Sequence, residues 1–550
     1  MKRRELGQLT RRELLRLGGV GAASLLASSL LQACGASPSA NPATSTGAVP
    51  TGAPSVQSKL AGQGGILVAA GDGIGDNFYP AAAFQGWAHS WVFDNVFETL
   101  YTTRDMKTLI PALALSYQVS ADGLTYTFQL RQGVKFHDGT AFNAAAVEFN
   151  YMRMLDNTHP FYEPNAIFRT SVLPGVAQIK ATGEYEVQVI RQHPDSAMLA
   201  ALALPYAGIV SPTSIQSDPK GYGAKPIGTG PFVFEKATKG SEASILANSN
   251  YWNGRPKLDR VVIRVIADDQ TMTASLLSGE VDITPFVDFK NLQTFSANPN
   301  LKVQVVPAAS TGYIGIQTQK PNLKDVRVRQ AIAHAINKQD LISTIFYGEA
   351  YLAGGIVPPA LWAYDPDYKD YYNFDVQKAK DLLSQAGFGA GLDLQLWCQI
   401  SGFWPRMAEL VQSQLKAIGI NTTIQQVATA KFYAAASEGK HDLFLGDVTW
   451  GSMDPAEAFY AFYGCQNPRS ISRWGFCDAD FDSALAKQST IPDQEGRKKA
   501  LWNLQKRLLD YVPQVFNYYQ RFATVMNKRV AGYQPMAIRT MYLEGVSVTM

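Results

Sequence analysis

The chain is poor in cysteine, nearly balanced in charge, and without metal-binding sequence spacings. Its 550 residues include only 4 cysteines, none of them in a Cys-x-x-Cys pair, and 6 scattered histidines. The sequence therefore predicts no zinc site and no other metal site. The formal net charge is only +3, so no excess of basic residues argues for binding to nucleic acid. After residue 34 no apolar run is long enough to cross a membrane, and we expect a soluble body.

Motifs that carry hydrolytic chemistry are also missing. Neither Gly-x-Ser-x-Gly nor His-Glu-x-x-His occurs in the chain, which removes the usual settings for an activated serine or a catalytic zinc. The pair His137-Asp138 has the residue types that orient a catalytic base. Neighbouring residues in a turn point apart, however, and no nucleophile in a recognisable setting accompanies them. We interpret the pair as structural and predict no catalytic residue, no cofactor and no enzyme activity.

The first 34 residues have the pattern of an export signal. Thr10-Arg11-Arg12 resembles a twin-arginine motif, and the uncharged stretch from Leu17 to Leu31 is too short and too rich in small residues to span a bilayer permanently. The end of this stretch resembles a lipobox, which predicts cleavage before Cys34 and lipidation of its thiol. A diacylglyceryl group carries two acyl chains, enough for stable anchoring. We therefore expect an extracytoplasmic protein tethered to the cell membrane by Cys34.

Residues 35–65 consist mainly of Ser, Pro, Thr, Ala and Gly. Such a segment lacks the apolar surface that offsets the entropy of ordering, so we expect a flexible linker. The body that follows, from residue 66 to residue 550, is too long for one hydrophobic core and predicts two or three lobes.

A strand, a hairpin and a helix are predicted between Tyr126 and Leu155. Apolar and polar residues alternate over 126–131, which is typical of a strand with one buried face. The pair Asp138-Gly139 is a turn signal, and Asn143 can cap a helix that follows it. These residues resemble the signature of the extracytoplasmic solute-binding proteins of family 5, which serve peptide, oligopeptide and nickel ABC importers. The match runs without gaps through this stretch.

Two further segments resemble the same family, namely 226–235 with Gly228-Thr-Gly230-Pro231-Phe232 and the helical segment 327–336. The resemblance implies an α/β fold with the two-lobed clamshell of periplasmic binding proteins and an extra domain inserted in the first lobe. It also implies a monomer that captures a small molecule or peptide in the cleft and delivers it to a membrane permease.

The resemblance divides the chain into seven segments. They are the signal peptide (1–34), the linker (35–65), the first part of lobe I (66–101), inserted domain II (102–225), the second part of lobe I (226–305), lobe III (306–515) and a return to lobe I (516–550). Alternating helix and strand patterns between 375 and 427 independently predict an α/β lobe with some parallel strand pairing. We expect the chain to cross between lobes near 303–316 and 514–519, where bending a few residues would act as a hinge.

The residues that contact the ligand are less clear from the pattern. Peptide-binding members of the family hold the ligand's amino terminus on an aspartate in the loop before an Asp-Pro pair, since buried positive charge needs a partner. Here Trp450 and Asp454-Pro455 are present, but the expected aspartate position reads Gly451. Either Asp447, from the end of the preceding strand, or Asp454 itself could take this role. We treat Asp447, Trp450 and Asp454 as candidate ligand contacts.

A second departure follows Trp397, where dipeptide binders of the family carry an arginine that pairs with the ligand carboxylate. This chain has Gln399-Ile-Ser-Gly-Phe403-Trp404 instead. Phe403 and Trp404 either line the pocket or seal the core, and both stay candidate contacts together with Tyr313. A peptide is the expected ligand. The alternatives are an oligosaccharide or other organic solute, and a sensory receptor built on the same fold.

Three cysteines remain in the body. Cys465 and Cys477 flank an eleven-residue loop, and export to an oxidising compartment would allow a disulfide between them. Some members of the resembled family carry a bridge in the equivalent loop. Cys398 follows an apolar run and is expected to be a buried free thiol.

Overall fold

The computed structural model describes residues 64–80, 87–164, 175–285, 287–465, 467, 470–538 and 540–549. The predicted export signal, Cys34 and all but the end of the predicted linker lie outside these ranges. Residues from Leu60 to Met550 form one compact unit. Across the ranges given, no helix combines the length and the apolar character needed to cross a bilayer.

Strands and helices alternate through most of the described chain. The strands are β1 (Ile66–Gly71), β2 (Tyr101–Thr102), β3 (Ile110–Pro111), β4 (Ala114–Val119), β5 (Thr125–Leu130), β6 (Val176–Gly183), β7 (Glu186–Arg191), β8 (Phe232–Thr238), β9 (Glu242–Ala247), β10 (Arg260–Val265), β11 (Ile283–Thr284), β12 (Leu301–Ile316), β13 (Tyr351–Leu352), β14 (Leu392–Gln399), β15 (Ile420–Val427), β16 (Leu443–Thr449), β17 (Gln514–Asn527), β18 (Val530–Ala531) and β19 (Ser547–Val548). The α-helices are α1 (Trp87–Val96), α2 (Ala144–Leu155), α3 (Met198–Ala201), α4 (Pro212–Ser217), α5 (Asp269–Ser278), α6 (Leu292–Ala297), α7 (Val326–Ala335), α8 (Lys338–Ile345), α9 (Val376–Gln385), α10 (Trp404–Lys416), α11 (Thr429–Ala436), α12 (Ala456–Tyr463), α13 (Ala479–Gln488) and α14 (Gln494–Tyr511).

One long mixed sheet runs through both lobes. Its strands follow the order β15-β14-β16-β12-β17-β11-β1-β10-β9-β8, and β13 also pairs with β17. Parallel pairs occur at both ends, as β14 with β15 and as β1 with β10. The parallel pairing predicted for the C-terminal half is therefore confirmed. The chain has the two-lobed α/β architecture, and the two ends of this sheet lie in different lobes.

The two longest strands connect the lobes. One end of β17 pairs with β11 at Met526, and the other end reaches Gln514, opposite Gly315 of β12. The pairing of β12 with β17 shifts register between Pro307 and Thr311, where three residues of β12 face a single residue of β17. A bulge of this kind bends a strand and breaks the regular ladder. The crossings expected near 303–316 and 514–519 correspond to these two strands.

A separate antiparallel sheet of order β4-β5-β7-β6 carries the segment that first pointed to the family. Asn143 caps α2, and its side-chain oxygen accepts a hydrogen bond from the N–H of Ala146 at 3.0 Å. Helix α2 packs against β6 and β7 of this sheet. The predicted succession of strand, turns and capped helix is confirmed here.

His137 and Asp138 have structural partners. His137 Nε2 lies 2.9 Å from the carbonyl oxygen of Gly230, and the hydroxyl of Ser211 donates to Asp138 at 2.5 Å. Burial lowers the pKa of His137, so the imidazole is neutral near pH 7. These contacts tie the turn to neighbouring loops, in agreement with the structural interpretation of the pair.

The cysteines of the body differ in state. Cys465 and Cys477 are joined in a disulfide that closes the loop carrying Arg473 and Trp474. Cys398 is a buried free thiol on β14, and burial raises its pKa to about 11. A thiol with so high a pKa is protonated at neutral pH and a poor nucleophile.

Candidate ligand-binding site

A cavity of about 510 Å³ has two walls, one around helix α1 and the other around strand β16. Its volume is within the range of sites that enclose small organic ligands, roughly 300–1,000 Å³. The first wall consists of residues from α1, the turn after α3 and the C-terminal segment: His89, Ser90, Phe93, Asp94, Pro205, Tyr206, Ile538 and Thr540. The second wall consists of residues from α11, β16, α12 and the disulfide loop: Tyr433, Asp447, Val448, Thr449, Trp450, Gly451, Phe462 and Arg473.

Helix α1 presents one polar face to the cavity. His89 and Ser90 lie one turn before Phe93 and Asp94, so all four share the same side of the helix. The His89 ring stacks on Phe78 with 4.8 Å between ring centroids. Burial lowers the pKa of His89 to about 4, which keeps the imidazole neutral. Its Nδ1 atom is buried and has no hydrogen-bond partner among the described residues.

Asp94 is a buried carboxyl group on the same wall. One of its oxygens, Oδ2, accepts a hydrogen bond from the N–H of Met541 at 2.8 Å. Burial raises the pKa of Asp94 to about 8, against the opposing effects of the Met541 N–H and the positive charge of Arg104. The group is therefore mostly protonated at neutral pH when the cavity holds no cation.

Asp447 is the carboxylate of the second wall. It lies on β16 opposite Gly312 of β12, and it is partly accessible from the cavity. The hydroxyl of Tyr433 donates to its Oδ1 at 3.0 Å. Burial and the Asp447 charge both raise the pKa of Tyr433, so this hydroxyl stays a donor. The structure records no partner for Oδ2 among the residues it describes.

Trp450 connects the cavity to the bulge between the lobes. Its backbone N–H donates to the carbonyl of Ala309, in the register shift of β12, at 2.8 Å. The side chain is 2% exposed, and its indole N–H has no acceptor within the described part of the chain. A buried donor without an acceptor costs free energy unless a ligand or a water supplies one. Trp450 therefore offers one unfilled donor at the cavity wall.

The loop after Trp450 is held by Glu457 at the start of α12. Its carboxylate accepts the N–H of Ser452 at 2.8 Å, and burial raises its pKa to about 7. A Cβ atom added at Gly451 would lie 3.7 Å from Glu457 Oε1 and 3.7 Å from Leu204 of the facing wall. Position 451, where the family pattern led us to expect an aspartate, therefore has the carboxyl group of Glu457 beside it.

Arg473 supplies the positive charge of the second wall. Its Nε donates to the hydroxyl of Ser437 at 2.9 Å, and its Nη2 donates to the carbonyl of Tyr433 at 3.1 Å. The guanidinium also lies over the Tyr433 ring, 5.4 Å from its centroid. Tyr433 thus has Asp447 at its hydroxyl and Arg473 at its ring and backbone, which separates the two charges along the wall.

Of the six residues predicted to contact the ligand, Asp447 and Trp450 line the cavity and the others do not. Asp454 is 4% exposed and forms an ion pair with Arg497. Tyr313 is 2% exposed and packs edge-on against Phe444 and Trp474, behind the cavity lining.

Trp404 lies in the core of the C-terminal lobe, and the half-buried Phe403 packs against that core. The Phe403 ring contacts Phe346 with 5.1 Å between centroids, and Trp404 is buried in the hydrophobic cluster of β14 and α10. The sequence left open whether Phe403 and Trp404 line the pocket or close the core. Their packing favours the second alternative.

Several cavity residues were not predicted from the sequence, among them His89, Asp94, Tyr433 and Arg473. The signal available for α1 was four polar or charged side chains in an otherwise apolar helix, which is unusual for a helix buried on most sides. Arg473 had a weaker signal, because it lies inside the Cys465–Cys477 loop. Nothing in the local sequence indicates that these segments meet.

The chemistry of the cavity suits recognition of an organic ligand. It combines aromatic and aliphatic walls with a carboxylate, a guanidinium, and two unpartnered polar atoms. Within the described ranges, no three His, Cys, Asp or Glu side chains are grouped so as to hold a metal ion. A cationic group fits beside Asp447 Oδ2, and a hydrogen-bond acceptor fits near Trp450.

The chain resembles characterised binding proteins along most of its length. A family model described as bacterial extracellular solute-binding proteins, family 5 Middle, matches residues 108–470. Di/tripeptide-binding protein 2 of Pseudomonas aeruginosa is 33% identical over 459 residues, which cover 78% of this chain and 85% of that protein. The dipeptide-binding protein of Escherichia coli is 27% identical, with 90% and 96% covered. A periplasmic binding protein associated with an ABC transporter of Helicobacter pylori, solved with the peptide STSA, has a TM-score of 0.79 at 27% identity, with 89% of this chain and 99% of that one covered.

Proposed function

Because the chain belongs to family 5 of the bacterial extracellular solute-binding proteins, we propose that it captures a short peptide between its two lobes and delivers it to the permease of an ABC importer. Proteins of this family are extracytoplasmic binding proteins of transport systems and not enzymes. Two relatives named for dipeptides or tripeptides, and a neighbour solved with a four-residue peptide, support a peptide as the ligand of this chain.

The observation that carries the proposal is the position of Asp447. Its carboxylate lies at the cavity wall, where Tyr433 donates to Oδ1 and no residue in the described part of the chain donates to Oδ2. The α-ammonium group of a peptide is a cation with three donors, and a half-buried carboxylate is the group that pairs with it best. The peptide's first carbonyl oxygen would accept the indole N–H of Trp450. Asp447 takes the place of the aspartate that is missing at Gly451.

Ligand capture couples to lobe closure because the cavity has a wall on each lobe. A peptide in contact with both walls gains its full set of contacts only when the lobes are together, so binding favours the closed form. The bulge at 307–311 of β12 and the facing part of β17 are the hinge of this motion in our proposal. The domain boundaries deduced from the sequence, with domain II at 102–225 and lobe III at 306–515, belong to the same proposal.

Delivery requires the protein to stay near its permease. We propose that a twin-arginine signal exports the chain and that lipidated Cys34 anchors it, with residues 35–65 as the tether. The protein is proposed to act as a monomer, since one chain supplies both walls of the cavity.

Native mass spectrometry of the mature body, followed by isothermal titration calorimetry, tests the ligand class. We expect a co-purified peptide or a dissociation constant in the micromolar range or below for dipeptides and tripeptides. Binding of oligosaccharides with no response to peptides of any length would contradict the peptide assignment. Peptide binding combined with unchanged peptide uptake after deletion of the gene would contradict delivery and favour a sensory role.

A further inference from the structure

Two carboxyl groups face the cavity from opposite walls. Asp94 belongs to α1 in one lobe, and Asp447 belongs to β16 in the other. In each group one oxygen has a partner within the protein, the N–H of Met541 for Asp94 and the hydroxyl of Tyr433 for Asp447. The structure records no partner for the second oxygen of either group in the described ranges.

Neither group forms an ion pair within the described protein, although the positive charge of Arg104 lowers the pKa of Asp94 against the larger effect of burial. No ion pair within 4 Å is recorded for Asp94 or Asp447 among the residues that the structure describes. The guanidinium of Arg473, on the second wall, donates to Ser437 and Tyr433 instead. The walls therefore combine two acidic groups with one basic group that is engaged elsewhere.

The fold does not need an acidic residue at position 94. The Met541 N–H requires only an acceptor, which an amide oxygen would supply without the cost of a buried ionisable group. Carboxyl groups that are almost fully buried are rare unless they are paired, and Asp94 is 8% exposed. Burial raises the pKa of Asp94, which disfavours its charged form unless a cation lies beside it.

Two further side chains that line the cavity carry buried polar atoms. His89 Nδ1 and Trp450 Nε1 are buried polar atoms without a partner among the described residues, and both side chains line the cavity. His89 belongs to the same wall as Asp94, and Trp450 belongs to the same wall as Asp447. Each wall thus presents a carboxyl group and an unsatisfied polar atom.

We infer that the preferred ligand is a short peptide with two cationic groups, whose α-ammonium pairs with Asp447 and whose lysine or arginine side chain pairs with Asp94. This inference rests on the proposed function. Such a ligand forms one charge pair with each wall. Because both pairs exist together only when the lobes are closed, they stabilise the closed form of the cleft. A neutral peptide makes only the contact at Asp447 and leaves Asp94 protonated.

Calorimetry with matched peptides tests the inference. Dipeptides and tripeptides with lysine at each position after the first are compared with the same peptides carrying norleucine, which keeps the alkyl chain and lacks the charge. We expect the best lysine peptide to bind about 10-fold to 100-fold more tightly than its norleucine counterpart, the range of a charge-assisted hydrogen bond. In Asp94→Asn, which keeps an acceptor for Met541, this preference should fall to within about twofold.

Glu98→Gln, just beyond the end of α1, is the matched control. Glu98 is one turn beyond Asp94, and its carboxylate accepts from Trp252 and Tyr251, away from this cavity. The control should keep the lysine preference of the wild type.

The outcomes separate the inference from the proposed function. Norleucine peptides that bind as tightly as lysine peptides overturn the inference and leave peptide binding intact, whereas no binding of any peptide overturns the proposed function. A lysine preference that survives in Asp94→Asn removes Asp94 from the site and overturns the inference as stated. If Asp94→Asn does not fold, the wild-type comparison of lysine with norleucine decides alone.

Discussion

Arg497 and Asp454 form a bidentate ion pair. Nη1 donates to Oδ2 at 2.7 Å and Nη2 donates to Oδ1 at 3.0 Å, with both side chains buried. Asp454 Oδ1 also accepts the N–H of Ala456 at the start of α12. Both oxygens of Asp454 therefore have partners within the protein, and Asp454 links α12 to α14.

Removal of Arg497 should destabilise the protein strongly. Arg497→Met leaves a buried carboxylate without its cation, which costs about 3–5 kcal/mol of unfolding free energy. Urea denaturation measures the loss. The control is Asp510→Asn, which breaks the exposed pair with Lys506 and should cost less than about 0.5 kcal/mol. Equal effects of the two substitutions would show that the Arg497–Asp454 pair is not the buried link described here.

Substitutions at Trp404 and Trp450 should differ in whether they lower stability or peptide affinity. Trp404→Ala empties part of the hydrophobic core and should cost about 3–5 kcal/mol of stability while the folded fraction keeps its peptide affinity. Trp450→Phe keeps most of the packing but removes the indole N–H at the cavity, and it should weaken peptide binding by about fivefold or more. Denaturation and calorimetry on both variants distinguish the roles. A selective loss of affinity in Trp404→Ala would return that residue to the list of ligand contacts.

The ligand-free protein should lose stability as the pH rises from 6.5 to 8. Burial raises the pKa of Asp94 to about 8 and that of Glu98 and Glu457 to about 7, so the folded state holds protons that the unfolded state has already released. Stability therefore falls with rising pH until these groups ionise in the folded state. Asp94 alone contributes about 1–2 kcal/mol of this fall.

Histidines act in a different pH range. Burial lowers the pKa of His89 and His441 to about 4, and these groups reduce stability only as the pH falls below about 6.5.

Chemical denaturation between pH 6.5 and 8 should show a smaller fall in unfolding free energy in Asp94→Asn than in the wild type. A wild type whose stability is flat or rises over this range would contradict a buried, protonated Asp94.

Substitution of Cys34 tests the proposed membrane anchor. Cys34→Ala removes the thiol that would carry two acyl chains, so the protein should move from the washed membrane fraction to the soluble extracytoplasmic fraction. Fractionation and immunoblotting measure the distribution. A variant that stays with washed membranes would mean that something other than lipidation at Cys34 holds the protein there.

The regular elements were predictable because their signals are local. Residues 420–427 alternate in polarity and form β15, and Asp325 precedes the helical segment 327–336 and caps α7. Gly387 follows α9 and Gly419 follows α10, and their φ angles are 89° and 90°. Glycine adopts this left-handed conformation readily, so it commonly follows the end of a helix.

The site was less predictable because it depends on contacts between distant segments. Asp447 could be proposed from its place at the end of a predicted strand. Asp454 differs from Asp447 because it pairs with Arg497, which lies 43 residues further along the chain. Nothing in the local sequence around Asp454 indicates this contact. Asp94 gave no signal of its own, since only the folded chain brings α1 opposite β16.

Calorimetric titration of Asp447→Asn with free and N-acetylated forms of one tight-binding peptide tests the central claim most directly. In the wild type, acetylation of the ammonium group should weaken binding by about 10-fold to 100-fold, because the charge pair with Asp447 is lost. Asp447→Asn should bind the free peptide about as weakly as the wild type binds the acetylated one, and it should no longer distinguish the two. Wild-type affinity of Asp447→Asn for the free peptide would contradict the account.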